Sequence, residues 1–298
     1  MSTRRNRLAG AAAGIVLDRF LGEPAVSPHP VAALGSVLAA LERRTYRDSR
    51  AAGAAHAGAG TAAGAIAGAA IGPTALATWV CVAGRMLGDV ALAIGADLER
   101  GDLEAARVAL PSLVGRDPVG LTDAEIARAV IESVAENTVD AVVAPALWAA
   151  AFGAPGAGAH KAVSTLDSMV GHRSARYQRF GWASARLDDA AAWVPARATA
   201  ALVAAARPRR AAAVLATVRR DATAHPSPNA GVAEAAFAAA LGVRLGGVNR
   251  YGDRVDERPP LGSGPPPAAA DIAAAVALSR DCALVLAAAL GVAAVVAG

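Results

Sequence analysis

The chain is 298 residues long with no polar linker, which favours one folded unit, and it is apolar (55% hydrophobic, mean hydropathy +0.38) with only 4% aromatics. Its apolar residues are mostly Ala, Val, Leu and Gly, which favour helices, and almost no window alternates with the period of a half-buried strand, so the predicted fold class is all-α. The formal charge of +4 comes from arginines dispersed among apolar blocks, with few aromatics for bases to stack on, which argues against nucleic acid as a partner.

In chain order, MSTRRNRLAGAAAGIVLDRF opens like a signal peptide. Asp18, Arg19 and Glu23 stand where a small-residue cleavage site would be, so the segment is read as retained. Arg4, Arg5 and Arg7 bias this end to the cytoplasm, but Arg43, Arg44, Arg47 and Arg50 pull the same way from beyond the apolar patch at 8–17, which therefore need not span. SPHPV at 27–31 is a rigid turn containing His29. Residues 51–84 contain no Asp, Glu, Lys or Arg, and about 20 apolar residues suffice to cross a bilayer as a helix. This run predicts one span, and the charge-free runs 141–160 and 282–298 predict two more. All three are weakened by their Ala and Gly content, and the shorter patch at 198–206 reads as re-entrant or interfacial. A soluble Ala-rich bundle is the alternative, since a buried core helix is also apolar all round. Cys81 and Cys282 lie singly in apolar runs, which gives neither a disulfide framework nor a zinc site and fits a reducing compartment.

Thr122 and Glu125 form a capping box that opens a helix at about 123, with Ile126, Val130 and Val134 at helical spacing. On it Glu125, Glu132, Glu136 and Asp140 fall on one stripe, which costs stability unless a cation answers it. Downstream, Arg173, Arg176 and Arg179 repeat every third residue, which on a helix makes a basic ridge suited to phosphate or carboxylate, followed by Arg186, Asp188 and Asp189. Exposed surface pairing explains such a ridge equally well. Lys161 is the only lysine in a chain that otherwise uses arginine, and a compact ammonium suits a phosphate or a developing oxyanion. His225 to Asn229 form a rigid polar turn, after which an Ala-rich helix opens at about 231. No phosphate-binding loop, dinucleotide fingerprint, zinc-protease or hydrolase motif occurs, and the five histidines show no ligand spacing.

The blocks GEPAVSPHPVAALG, LVGRD, ESVAENTVDAVVAPALWAA, KAVSTLDSMVGHR, RYQRFGWASARLDD and RRDATAHPSPNAGVAEAAFAAALGVRLGG resemble, in order and over about 18–262, the CobD/CbiB family of adenosylcobinamide-phosphate synthases. The chain departs from the family pattern at Ser164, where Asn is usual, at His160, where an aromatic is usual, and at Glu23, where Asp is common. The resemblance implies a multi-pass protein of the cell membrane with its site on the cytoplasmic side. It also implies joining of aminopropanol, or its O-phosphate, to a propionate carboxyl of adenosylcobyric acid in cobalamin biosynthesis. Implied partners are the corrinoid, the amine, membrane lipid and other enzymes of the pathway, and implied cofactors are ATP and Mg²⁺. On this reading Glu132, Glu136, Lys161, Asp167 and His225 are catalytic, with His225 or an acid near it taking the proton of the attacking ammonium. Asn137, Arg173, Arg176, Arg186 and Asn229 bind substrate or phosphate, and Asp140, Asp188 and Asp189 hold the metal. A corrinoid transporter would share the spans but more often shows internal repeats, and none is found at any fixed period. A scaffold for other enzymes would tolerate neutralising the acids.

Overall fold

The computed structural model describes residues 2–172, 174–251 and 254–297. Helices α1 (Ser2–Leu21), α2 (Pro30–Thr45), α3 (Arg50–Ile71), α4 (Thr74–Cys81), α5 (Gly84–Glu99), α6 (Leu103–Ala109) and α7 (Asp123–Thr138) come first. They are followed by α8 (Ala144–Phe152), α9 (Ala154–Leu166), α10 (Trp182–Ala191), α11 (Trp193–Ala206), α12 (Ala211–Asp221) and α13 (Ala230–Leu241). An antiparallel hairpin of β1 (Leu245–Tyr251) and β2 (Arg254–Leu261) precedes the last helix, α14 (Ala269–Val296). The chain is thus mostly helical as expected, with one hairpin that the sequence reading did not contain. It forms two compact units: Met1–Ala83, Asp140–Pro195 and Leu286–Gly298 make the first, and Gly84–Val139 with Ala196–Val285 the second.

Helix starts follow local chemistry. The side chains of His29, Ser49 and Asp102 accept from the amides of Val31, Ala52 and Ala105, so the SPHPV turn serves as the cap of α2. Both halves of the Thr122–Glu125 capping box are formed at α7.

Among the described residues two stretches are long and apolar enough to cross a bilayer, Thr74–Glu99 and Ala269–Val296. These differ from the three predicted spans. The run 51–84 divides at Gly72 and Pro73 into α3 and α4, and α3 is rich in Ala and Gly, which add little to insertion. The run 141–160 divides at Gly153, whose φ of 73° ends α8. The run 282–298 is the end of a helix that begins earlier, at Ala269.

In the first unit α3 lies against α9 through small residues. A Cβ on Gly64 would meet the Gly158 carbonyl oxygen at 2.4 Å, and one on Gly158 would meet the Gly64 carbonyl oxygen at 2.2 Å. Glycine every fourth residue (60, 64, 68) therefore serves close helix approach, a device that works in lipid as well as in water. Leu34, Leu38, Ala162 and Leu166 form an apolar cluster beside it, with Met169 packed on its edge.

In the second unit α13 is buried along its length from Ala230 to Ala240 and packs on α7 and α12. The loop after the hairpin is tied to α12 by Asp221, which accepts from the Gly262 amide at 2.9 Å and from the Arg220 fork at 2.7 and 2.8 Å. The Arg220 hydrogen bonds hold the Asp221 carboxyl below its usual range, with the Gly262 amide helping against burial. A carboxylate with a depressed folded-state pKa stabilises above its unfolded value and loses that contribution as pH falls through the folded one. Asp221→Asn is therefore expected to lower stability by about 1–3 kcal/mol at neutral pH. The gap to wild type should close below about pH 4, as thermal unfolding in detergent would measure.

Candidate functional site

Helix α7 carries the acid stripe, and the structure distributes its members. Glu125 closes the capping box. Glu132, 2% exposed, accepts from Arg116 Nη2 at 2.5 Å and from the Gly246 amide at 2.9 Å, with Arg128 Nε at 3.9 Å. Arg128, one turn before it, donates to the carbonyls of Gly246 and Val248 and to Asn249 Oδ1 at 2.5, 2.7 and 3.2 Å. Gly246 has a φ of 81°, so glycine lets this backbone offer its amide to Glu132 and its carbonyl to Arg128. The cations that answer Glu132 are thus Arg116 of the LVGRD block and Arg128, both within the same unit. Glu136 is exposed, and the Asn137 amide folds back onto the Ser133 carbonyl and hydroxyl at 2.9 and 3.2 Å. Asp140 leaves the stripe because residues 139–143 make a π-turn, which breaks the 3.6-residue register and is frequent at functional sites.

Glu234 of α13 faces the same cluster. It is fully buried on an otherwise apolar helix, with His225 Nε2 at 3.7 Å and Arg258 Nη1 at 3.9 Å from its Oε1. Among the described residues no hydrogen-bond donor reaches either of its oxygens. Burial first, then the charges of Glu132 and Glu136, push its carboxyl well above the usual range, against the pull of Arg258 and Arg116. His225 is buried too, and burial lowers its pKa, so its ring is neutral at neutral pH. Its Nδ1 lies 3.1 Å from the Ser227 amide and 3.2 Å from the Ser227 carbonyl oxygen, and its Nε2 is 3.3 Å from Arg258 Nη1. Asn229 accepts from Arg197 at 2.9 Å. A cleft of about 350 Å³ opens beside Arg128, Arg244, Gly246 and Gly247.

The remaining predicted residues lie in the first unit. Lys161 on α9 lines a small, mostly apolar cleft of about 90 Å³ with Leu34, Gly64, Gly68 and Gly158. Asp167 begins a second π-turn, 167–171. Burial first and the charge of Asp189 second raise its pKa, opposed by His172. Asp189, with Asp188 on α10, is raised by burial and opposed by Arg186 on the same helix. The two carboxylates Asp167 and Asp189 therefore share a local field, and a divalent cation would relieve their repulsion. Among the described residues no three His, Cys, Asp or Glu gather as a ligand set.

The predicted arginine ridge takes a different form. Residues 175–181 are turns, so a helical spacing rule does not apply to them. Arg176 lies 4.0 Å over the Tyr46 ring and 3.4 Å from Glu42, while Arg179 reaches Asp48 at 3.8 Å. Arg173 lies outside the described residues.

Of the residues singled out from the sequence, Glu132, Glu136, Asn137, His225 and Asn229 lie in the second unit, and the structure sets beside them Glu234, Arg116, Arg128, Arg197 and Arg258, to which the sequence assigned no role. For Glu234 a signal existed: it is the single charge in a run of apolar residues from 230 to 243.

A helical protein whose second unit buries carboxylates among arginines and a histidine has the makings of an acid–base enzyme. Residues 11–279 match the family model described as CobD/Cbib protein. The chain is 50% identical over 292 residues to the cobalamin biosynthesis protein CobD of Mycobacterium tuberculosis (strain CDC 1551 / Oshkosh), covering 94% of this chain and 93% of the relative. It is 42% identical over 267 residues to the protein of that name from Geobacter metallireducens, covering 83% and 84%. The Rhodobacter capsulatus protein of that name is 50% identical over 203 residues, or 68% and 64%. The chain belongs to the CobD/CbiB family. No solved structure matches it.

Proposed function

We propose that this cobalamin biosynthesis protein is an amide synthase, joining the amine of aminopropanol or its O-phosphate to a propionate carboxyl of adenosylcobyric acid. The observation that carries the reading is the cluster of buried Glu132, Glu234, His225 and Arg116 with half-buried Arg128 and Arg258 in a chain of this family. Amide formation from an ammonium and a carboxylate needs a group that removes a proton and a water-poor setting in which the amine stays neutral. A buried acid beside a neutral histidine supplies both.

The carboxyl must also become electrophilic, and ATP with Mg²⁺ supplies that activation when bound. Asp167 and Asp189, with Asp140 and Asp188, are the residues of this chain suited to the cation. Lys161, Arg173, Arg176 and Arg186 are suited to phosphate, and Asn137 and Asn229 to polar groups of the substrates. Glu132 holds Arg116 and the hairpin backbone in place, and Glu136 offers an exposed carboxylate on the same helix. The two long apolar stretches support a multi-pass place in the cell membrane, with the site on the cytoplasmic side, where nucleotide and substrates reside.

The test is mass spectrometry of the corrinoid after incubating detergent-purified protein with adenosylcobyric acid, aminopropanol phosphate or aminopropanol, ATP and Mg²⁺, omitting each in turn. The expected result is a mass gain equal to the amine less water that disappears without ATP. An unchanged corrinoid from folded protein would overturn the reading.

A further inference from the structure

The proton of the attacking ammonium has two candidate acceptors in the second unit, His225 and Glu234. A neutral imidazole has one lone pair, and here two donors converge on the ring. In the tautomer protonated at Nε2, Nδ1 accepts from the Ser227 amide at 3.1 Å. In the tautomer protonated at Nδ1, that proton points to the Ser227 carbonyl oxygen at 3.2 Å and Nε2 accepts from Arg258 at 3.3 Å. Either way the lone pair is occupied. Glu234 is the reverse case: fully buried, with no donor within hydrogen-bond distance of either oxygen among the described residues and only the looser contacts of 3.7 and 3.9 Å to His225 and Arg258. A carboxylate in that state is expensive to keep, and a compact ammonium is the group that would satisfy it.

Resting on the amide-synthase reading, we infer that Glu234 is the catalytic base: its carboxylate seats the substrate's primary ammonium and takes its proton, while His225 and Arg258 are positioning residues. The step is R–NH₃⁺ + Glu234–COO⁻ → R–NH₂ + Glu234–COOH, which frees the nitrogen lone pair for attack. Charged and titratable groups bear on Glu234 from each neighbouring element: Glu132 and Glu136 on α7, Arg116 from the loop before it, Arg258 on β2, and His225 from the turn before α13. Asp256, next to Arg258 on β2, bears on His225. Burial first and then the two acids oppose the charged carboxylate while the positive groups favour it, and the net rise brings the proton's affinity for Glu234 nearer to that of an amine held in the same site.

Three readouts on the whole chain in detergent separate catalysis from structure. Glu234→Gln keeps shape and removes a buried charge, so its thermal stability is expected to equal or exceed that of wild type, whereas a structural role predicts a loss. Calorimetric titration with 1-amino-2-propanol in buffers of different ionisation enthalpy is expected to show binding weakened about tenfold or more, with the wild type's linked proton exchange gone. In the mass-spectrometric assay the rate is expected to fall about 100-fold or more near neutral pH, and the deficit to shrink as pH rises toward about 9.5, because free amine then needs no base. Glu234→Asp should retain part of the rate. A glutamine variant with binding and rate within about threefold of wild type, or with a deficit constant across pH, overturns the assignment. If wild type makes product and the variant does too, Glu234 is wrong and the synthase reading stands. If wild type makes no product, the synthase reading fails and the titration alone decides whether Glu234 seats an amine.

Discussion

Glu132→Ala is expected to destabilise the protein by about 3–5 kcal/mol, among the largest effects of any single side chain. The reason lies in what it leaves behind. Arg116 is 7% exposed and its Nη2 donates to Glu132; its Nε and Nη1 have no hydrogen-bond partner among the described residues. Removing the acid strands a guanidinium in a water-poor interior, and the Gly246 amide loses its acceptor in the same stroke. The double variant Arg116→Met, Glu132→Leu is expected to recover most of the loss, since apolar side chains of similar size replace a buried pair at little cost. It should stop short of wild type by about 1–3 kcal/mol, the cost of the orphaned Gly246 amide. Thermal unfolding of wild type, both single variants and the double closes the cycle and gives the coupling. A double variant as unstable as Glu132→Ala would show that the ion pair is not what holds the loop before α7 to that helix.

That cycle also marks where sequence reading stops. Glu132 was legible because acids at helical spacing next to an apolar run are costly, and cost points to purpose. Its partner was not legible, because Arg116 lies on a loop and no periodicity links it to α7. The capping box fixed the start of α7 to the residue, since it depends on two side chains three positions apart. The π-turn at 139–143 has no such local signature, so Asp140 was kept on a stripe that the backbone abandons. The hairpin escaped for a related reason: β2 reads RVDERPPL, with two prolines and no apolar alternation, and its ladder is irregular between Leu245 and Gly247. Arg173, Arg176 and Arg179 looked like a helical ridge because spacing says nothing about the run of turns at 175–181 that holds Arg176 and Arg179. The family resemblance needed none of this, because it rests on ordered blocks whose identity survives errors in local geometry.

Gly158→Val is expected to have the other large effect. A Cβ at this position would lie 2.2 Å from the Gly64 carbonyl oxygen and 2.9 Å from the Gly68 Cα, and both obstacles are backbone. No rotamer change relieves a clash of that kind, so α3 and α9 must part and lose the contacts that close approach provides. The cost is expected to be about 3 kcal/mol or more, read as thermal unfolding in detergent and as reduced accumulation in the membrane. Gly58→Ala on the exposed face of α3 is the control: nothing lies within 4 Å of its added Cβ, so the change should stabilise by up to about 1 kcal/mol through helix propensity. The two outcomes together distinguish packing from propensity as the reason α3 tolerates so many glycines. A functional consequence follows from the position of α9. Lys161 sits one turn past Gly158 and lines the same cleft as Gly64 and Gly68, and Asp167 opens the π-turn that ends the helix. Displacing α9 moves the lysine ammonium and the first of the paired carboxylates together, so, on the amide-synthase proposal, any Gly158→Val protein that folds is expected to lose rate in the mass-spectrometric assay far beyond its loss of stability. Purified, folded variant with undiminished rate would separate Lys161 and Asp167 from the chemistry.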